Sequence, residues 1–216
     1  MAIVPANCMH CSYIARLHAE GISTGFLPRL GIKFLTQLYS AMVASEYGVL
    51  LVSVDENRQA NGFVSGSRSL KSFYLDFLFS VYGFKAAIEI GNSLLKREGS
   101  DTHYGLVPMR SLLTKSKETL LYPFKGVVDP LPKAELISIV VAEEERNRGV
   151  AKDLFEGLKT EFLRQGIGQF KVYVSVENKR ACDFYEKVGG RFTAQIEVHK
   201  GEVSNVYIFN TDSKRI

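Results

Sequence analysis

The stretch that most constrains this chain is Glu135–Phe155, where an apolar run, a short basic loop and an amphipathic segment follow one another without a gap. Leu136 to Val141 is apolar except for Ser138 and reads as a strand with little polar exposure. Val150 to Arg164 sets Leu154, Leu158 and Phe162 on one face of a helix. Between them lies Arg146-Asn147-Arg148-Gly149-Val150-Ala151. A helix that starts there aims its free N–H groups, and the positive end of its dipole, at whatever stands in front of it. Gly149 lets backbone approach a ligand closely, Ala151 keeps the first turn small, and Arg146 and Arg148 add positive charge. The pattern predicts a pyrophosphate cradle made mainly of backbone. It is not a P-loop, because no Gly-Lys-Ser/Thr follows. Nor is it a dinucleotide fingerprint, because Gly-x-Gly-x-x-Gly is absent.

The alternation of strand and helix continues to the C-terminus. Phe170 to Val176 reads as a strand, and Lys179 to Val188 as a helix closed by Gly189-Gly190. Phe192 to Val198 and Ser204 to Phe209 form a hairpin around Lys200-Gly201-Glu202. Upstream, Ile3 to Ala6 suits a short strand. Asn7 or Ser12 caps a helix that runs to about Glu20 and stops at Gly21. A second helix opens at Pro28, with Leu30, Phe34, Leu38 and Met42 on one face. Val49 to Val54 and Phe63 to Gly66 read as paired strands. Strands and helices mixed around one sheet predict an α/β or α+β class.

Residues 68–132 break this rhythm. Ser72 to Leu95 reads as one helix, with Phe73, Phe77, Tyr82 (or Val81), Phe84 and Ile88 forming a broad apolar face. A polar stretch from Lys96 to His103 follows. Met109 to Leu121 suits another helix, and Pro123, Pro130 and Pro132 make a rigid connector. We read residues 1–216 as a single domain in which 68–132 is an insertion or a long crossover.

Several function classes recede on composition. The formal net charge of +4 is too small an excess to imply nucleic acid as a partner, though it suits an anionic cofactor. No basic segment followed by an apolar run opens the chain. The greasiest stretch, Phe73 to Ile90, is interrupted by Asp76, Lys85 and Glu89, so a membrane span is not expected and a cytoplasmic protein is. The three cysteines, Cys8, Cys11 and Cys182, are an odd number. Cys8-Met9-His10-Cys11 has the spacing of half a zinc site, but no second pair follows it, so no metal is expected.

A second block is decisive for the expected chemistry. After the strand at Phe170 comes Asn178-Lys179-Arg180-Ala181-Cys182-Asp183-Phe184-Tyr185-Glu186-Lys187-Val188-Gly189. Asn178, Ala181, Tyr185 and Gly189 fit Asn-x-x-Ala-x-x-x-Tyr-x-x-x-Gly, and Arg146, Gly149 and Ala151 fit Arg/Gln-x-x-Gly-x-Gly/Ala. With these two patterns in this order, the sequence resembles the GCN5-related N-acetyltransferase (GNAT) family. Ile3 to Glu20 resembles that family's first strand and helix. The likeness covers 1–67 loosely and 134–210 well, and it does not extend to 68–132.

The resemblance implies a mixed, mostly antiparallel sheet whose fourth and fifth strands splay apart, with helices on its flanks and a helical insertion. It implies that the pantetheine arm of acetyl-CoA enters the gap and pairs with the backbone of Ile139 and Val141, as an added strand would. Arg146, Asn147, Arg148, Gly149, Val150, Ala151 and Asn178 are then the other cofactor-binding residues, Asn178 also capping the helix after it. The implied activity is transfer of an acetyl or other acyl group to a primary amine of a small molecule, an amino sugar or a protein. The amine attacks directly, with no acyl-enzyme and no metal. Glu135 takes the place of the base, directly or through water, and Tyr185 that of the acid that protonates the CoA sulfur. A backbone N–H near Val141 polarises the thioester carbonyl. The residues leave plainer readings open: Glu135 as an exposed strand end, Tyr185 as a core aromatic, and the whole as a non-catalytic acyl-CoA sensor or interaction module. Glu143 departs from the family's commoner proline, and Glu143 to Glu145 are expected to face solvent.

Overall fold

Asn7 is the cap that the first helix uses. In a computed structural model, which describes residues 1–22, 27, 30–57, 59–95, 131–199 and 202–212, strand β1 (Ala2–Pro5) leads into α1 (Cys8–Gly21). Asn7 Oδ1 accepts from the Met9 N–H at 3.0 Å, and the Asn7 N–H donates to His10 Nδ1 at 3.1 Å. Donors that an open helix start would leave unpaired are thereby satisfied. Helix α2 (Ile32–Ala44) buries Phe34, Leu35, Leu38, Tyr39 and Met42; Pro28, the expected start, lies outside the described residues. Strands β2 (Gly48–Val54) and β3 (Ala60–Ser67) follow as the expected antiparallel pair.

The helix expected over Ser72–Leu95 is two helices, α3 (Leu70–Phe79) and α4 (Val81–Leu95). Ser80 makes the break. Its hydroxyl donates to the Phe77 carbonyl at 2.7 Å and accepts from the Gly83 N–H at 3.2 Å. One side chain thus closes α3 and caps α4. The apolar face splits with the helix: Phe73 and Phe77 are buried, Phe77 edge-on to Phe34, whereas Phe79 and Phe84 are 89% and 68% exposed. The stretch 96–103, the helix expected at Met109–Leu121, and Pro123 and Pro130 lie outside the described residues.

From Ala134 onward the strands and α-helices fall close to where the sequence pattern put them: β4 (Glu135–Val141), α5 (Val150–Arg164), β5 (Gln169–Ser175), α6 (Lys179–Lys187), β6 (Arg191–His199) and β7 (Glu202–Asn210), with a short 3-10 turn (Glu143–Glu145) that the pattern did not predict. The seven strands form one sheet in the order β1-β2-β3-β4-β5-β7-β6, and all pairs are antiparallel except β4 with β5. Helices α1 to α4 share one core with one face of the sheet, and α5 and α6 share another with the opposite face. Leu154, Phe155, Leu158 and Phe162 of α5 are fully buried, each stabilising the fold by roughly 1.5–3 kcal/mol. Helix α5 sits close on β3 because β3 offers Gly66, where a Cβ would fall 2.9 Å from Leu158 Cδ1 and Phe162 Cζ.

Two features of β4 position the site. It pairs with β3 along its length, but with β5 only at Glu135↔Lys171 and Leu136↔Val172, after which the strands diverge. This is the splay that the resemblance implied. The strand also carries a bulge: Ser138 pairs with Ser65 and Leu136 with Gly66, leaving Ile137 as an extra residue. Leu136 and Ile139 pack toward α5, while Ile137 packs toward α2 and Ser138 lies against Tyr39 of that helix.

Candidate active site

The gap between β4 and β5 opens into a cleft of about 760 Å³, walled by Ile139, Val140 and Val141 on one side and by α6 on the other. The Ala142 N–H donates to the Asn61 carbonyl of β3 at 2.9 Å. Alternation along the strand then turns the N–H and C=O groups of Val141 and Ile139 away from β3, toward the gap. The Val141 carbonyl accepts from Arg146 Nε at 3.4 Å, and the rest of this edge can accept an extended ligand as it would another strand.

The floor of the cleft is the start of α5. Gly149 is its N-cap in the left-handed region, at φ 88°, with no side-chain cap. A Cβ at Gly149 would meet nothing within 4 Å, so the backbone stands open toward the cleft it lines. The Lys152 and Asp153 N–H groups bond back to the Gly149 carbonyl. Those of Val150 and Ala151 have no acceptor among the described residues, as the first residues of a helix do not. Two free N–H groups at the positive end of a fifteen-residue helix fit an anion such as the pyrophosphate of a CoA. Arg146 and Lys152 line the same space. Asn147 sits at φ 63°, and its Oδ1 accepts from Arg180 of α6 at 3.4 Å, which ties the two motif loops together. Asn178 caps α6, its Oδ1 accepting the Ala181 N–H at 3.1 Å, and also lines the cleft.

Tyr185 forms part of the α6 wall. Only 4% of it is exposed, and its ring packs among those of Phe155, Phe184, Tyr207 and Phe209. Burial pushes its phenol well above the ordinary value of 10.0, so it is protonated and able to donate at neutral pH. It is both a core aromatic and a cleft residue.

Glu135 is not among the cleft-lining residues. It stands at the vertex of the splay, and its Oε2 is 3.6 Å from Lys171 Nζ of β5. Lys171 also donates to the Pro132 carbonyl and lies 5.7 Å from the centre of the Tyr173 ring. Burial lowers the Lys171 pKa, and the Glu135 carboxylate partly offsets that.

Solved structures share this arrangement of sheet and helices. SsHAT superposes with a TM-score of 0.64 at 18% identity, over 98% of each chain. NAA60 of Arabidopsis thaliana, in complex with acetyl-CoA, gives 0.56 at 15% identity over 97% of each chain. A chimera of the spermidine N-acetyltransferase SpeG of Vibrio cholerae and hSSAT gives 0.55 at 15% identity, over 98% of this chain and 97% of that one. Residues 120–190 match the model of the acetyltransferase (GNAT) family. The chain has the GNAT acetyltransferase fold. A comparison with curated proteins finds no match.

Of the residues expected at the site, the GNAT cleft here gathers Ile139, Val141, Arg146, Asn147, Gly149, Val150, Ala151, Asn178 and Tyr185. Arg148 is not among them: its guanidinium turns to Glu145, at 3.3 Å. Glu143 and Glu144 are exposed as expected, but Glu145 is half-buried and lines the cleft, where Arg148 balances its charge. The sequence reading missed Lys152, Arg180, Lys187 and Gly21, which also border the cleft. Arg180 had a signal, being a cation one residue past the start of the helix that Asn178 caps. Gly21 had none. It reaches the cleft because α1 packs on β4, where a Cβ at Gly21 would fall 2.4 Å from Val140 Cγ1.

Proposed function

We propose that the protein is an N-acetyltransferase that moves an acetyl group from acetyl-CoA to a primary amine of a small molecule, an amino sugar or a protein. The observation that carries this reading is the cleft itself. It joins the outward-facing edge of β4, the uncapped α5 start and Tyr185 of α6 along one continuous wall and floor. The neighbours of like fold support it, one being a spermidine N-acetyltransferase and another having acetyl-CoA bound.

Acetyl-CoA supplies an activated thioester. The residues of the chain do the rest. Val150 and Ala151 N–H groups and Arg146 hold the pyrophosphate, while Ile139 and Val141 align the pantetheine arm. The backbone N–H near Val141 stabilises the carbonyl oxygen as it gains negative charge. Glu135 accepts the proton that the attacking amine loses, through water, since its carboxylate stands outside the cleft. As the C–S bond breaks, Tyr185 gives its proton to the departing sulfur and recovers one from solvent. We read residues 68–132 as the insertion that shapes the acceptor side of this machinery.

The test is a screen of amines with acetyl-CoA, following free thiol release. Thiol release that depends on one class of amine is the expected result. Binding of acetyl-CoA without turnover of any amine would instead make the protein a CoA-binding sensor of the same fold.

A further inference from the structure

The vertex of the splay carries a cluster that the cofactor site does not use. Glu135 and Lys171 are the first of the two residue pairs that hold β4 to β5 before the strands part. Their side chains are only 14% and 11% exposed. Among the described residues, the ionisable groups facing the Glu135 carboxylate are Lys171 and Tyr173 from β5 and Tyr74 from α3. Both phenols are pushed up in pKa, by burial first and by the Glu135 charge second, so they stay neutral, and Lys171 brings a positive charge to 3.6 Å from the carboxylate. A nearby cation favours the ionised carboxylate, and only in that form can it accept a proton from an amine.

Resting on the acetyltransferase reading above, we propose that Lys171 is the positioning residue for Glu135: it fixes the carboxylate at the strand vertex and keeps it ionised. The geometry gives Lys171 both tasks. The Pro132 carbonyl and the Tyr173 ring hold the ammonium from the sides that Glu135 leaves open. The strand register sets the two side chains opposite each other. The pair acts on the base and lies apart from the CoA-binding floor.

The experiment follows the Glu135 carboxyl carbon by ¹³C NMR as pH is varied, with the signal assigned by its loss in Glu135→Gln. In the intact protein its midpoint should lie below the ordinary glutamate value of about 4.3. In Lys171→Met it should rise by about 1–3 units, and the acid-side fall of kcat should move up with it, while acetyl-CoA affinity is kept. Lys171→Arg should restore both. A midpoint above the ordinary value in the intact protein overturns the proposal, and that reading needs no variant to fold. So does a Lys171→Met protein whose midpoint and kcat profile are unchanged. If no amine is turned over by the intact protein, the acetyltransferase reading fails on that ground, and the titration still decides whether Lys171 holds Glu135 ionised.

Discussion

Tyr185 is asked to be two things, and a single atom separates them. Its ring contributes to an aromatic core with Phe155 and Phe209, and the residue also lines the cleft, where we propose that its hydroxyl acts. Tyr185→Phe keeps the first role and deletes the second. A thiolate leaving group needs only modest help, because an ordinary thiol pKa is about 8.5. We expect kcat to fall roughly 10²-fold, the low end for acid–base catalysis, with acetyl-CoA binding kept. Near-native kcat, measured where chemistry limits the rate, would refute the acid role. Gly149 tests the cofactor floor. Its φ of 88° and the open space before it leave backbone facing the cleft. Gly149→Glu strains that conformation and sets a carboxylate beside the free N–H groups. Acetyl-CoA should raise the Tm of the native protein and not that of the folded variant; equal shifts would move the site elsewhere. At this scale the sequence was legible where function is local. Arg146, Gly149, Asn178 and Tyr185 act through their own turn or helix start, which spacing reveals. The pairing of Glu135 with Lys171 was not legible, because a parallel register sets the two together from distant stretches of chain.

Among the elements, α5 and α6 were readable nearly to the residue, since each combines a cap or turn signal with a clean apolar stripe. The α3–α4 break was not. Ser80 sits inside an unbroken apolar periodicity, and only its hydroxyl bonds to Phe77 and Gly83 show that it ends one helix and begins another. The break also turns apolar side chains outward: Phe79, Val81 and Phe84 are exposed, whereas Phe73 and Phe77 are covered. Tyr74 of the same α3 lies near Glu135, so this pair of helices borders the proposed base and not the cofactor floor. We therefore expect Phe79→Ser and Phe84→Ser to change the KM for the amine and leave the Kd for acetyl-CoA within about twofold, on the order of 0.4 kcal/mol. An equal loss of CoA affinity in a folded variant would count against an acceptor role for residues 68–95.

On the scale of the whole molecule, the sheet joins two cores, and the one beneath α1 and α2 holds a buried histidine. His18 Nδ1 and the Tyr39 hydroxyl share a hydrogen bond of 2.5 Å, and the His18 ring stacks on Phe63. Burial depresses its pKa from 6.5 to about 4. Below pH 6.5 the unfolded chain binds a proton that the folded chain refuses. Stability is therefore full above that pH and falls as pH drops toward 4, by about 3 kcal/mol in all. Tm should decline across this window, and less steeply in His18→Gln, which removes the titration and leaves a polar partner for Tyr39. Parallel declines in the two proteins would show that His18 does not set the acid limit. The fold class was legible in the sequence because the elements alternate. The order in which β7 lies between β5 and β6 was not, because it depends on which strand edges meet.

The extra residue in β4 has a consequence for what deletions in this chain could produce. Ile137 and Ser138 lie on the same face of the sheet, so the strand changes phase there. Removing Ile137 would restore strict alternation along β4 opposite β3. Such a chain would keep every side chain that faces α5 but lose Ile137 from the core toward α2, so we expect its Tm to fall. The outward-facing groups of Ile139 and Val141 would keep their places against β3, so the deletion should cost stability before it costs the room in which a cofactor enters.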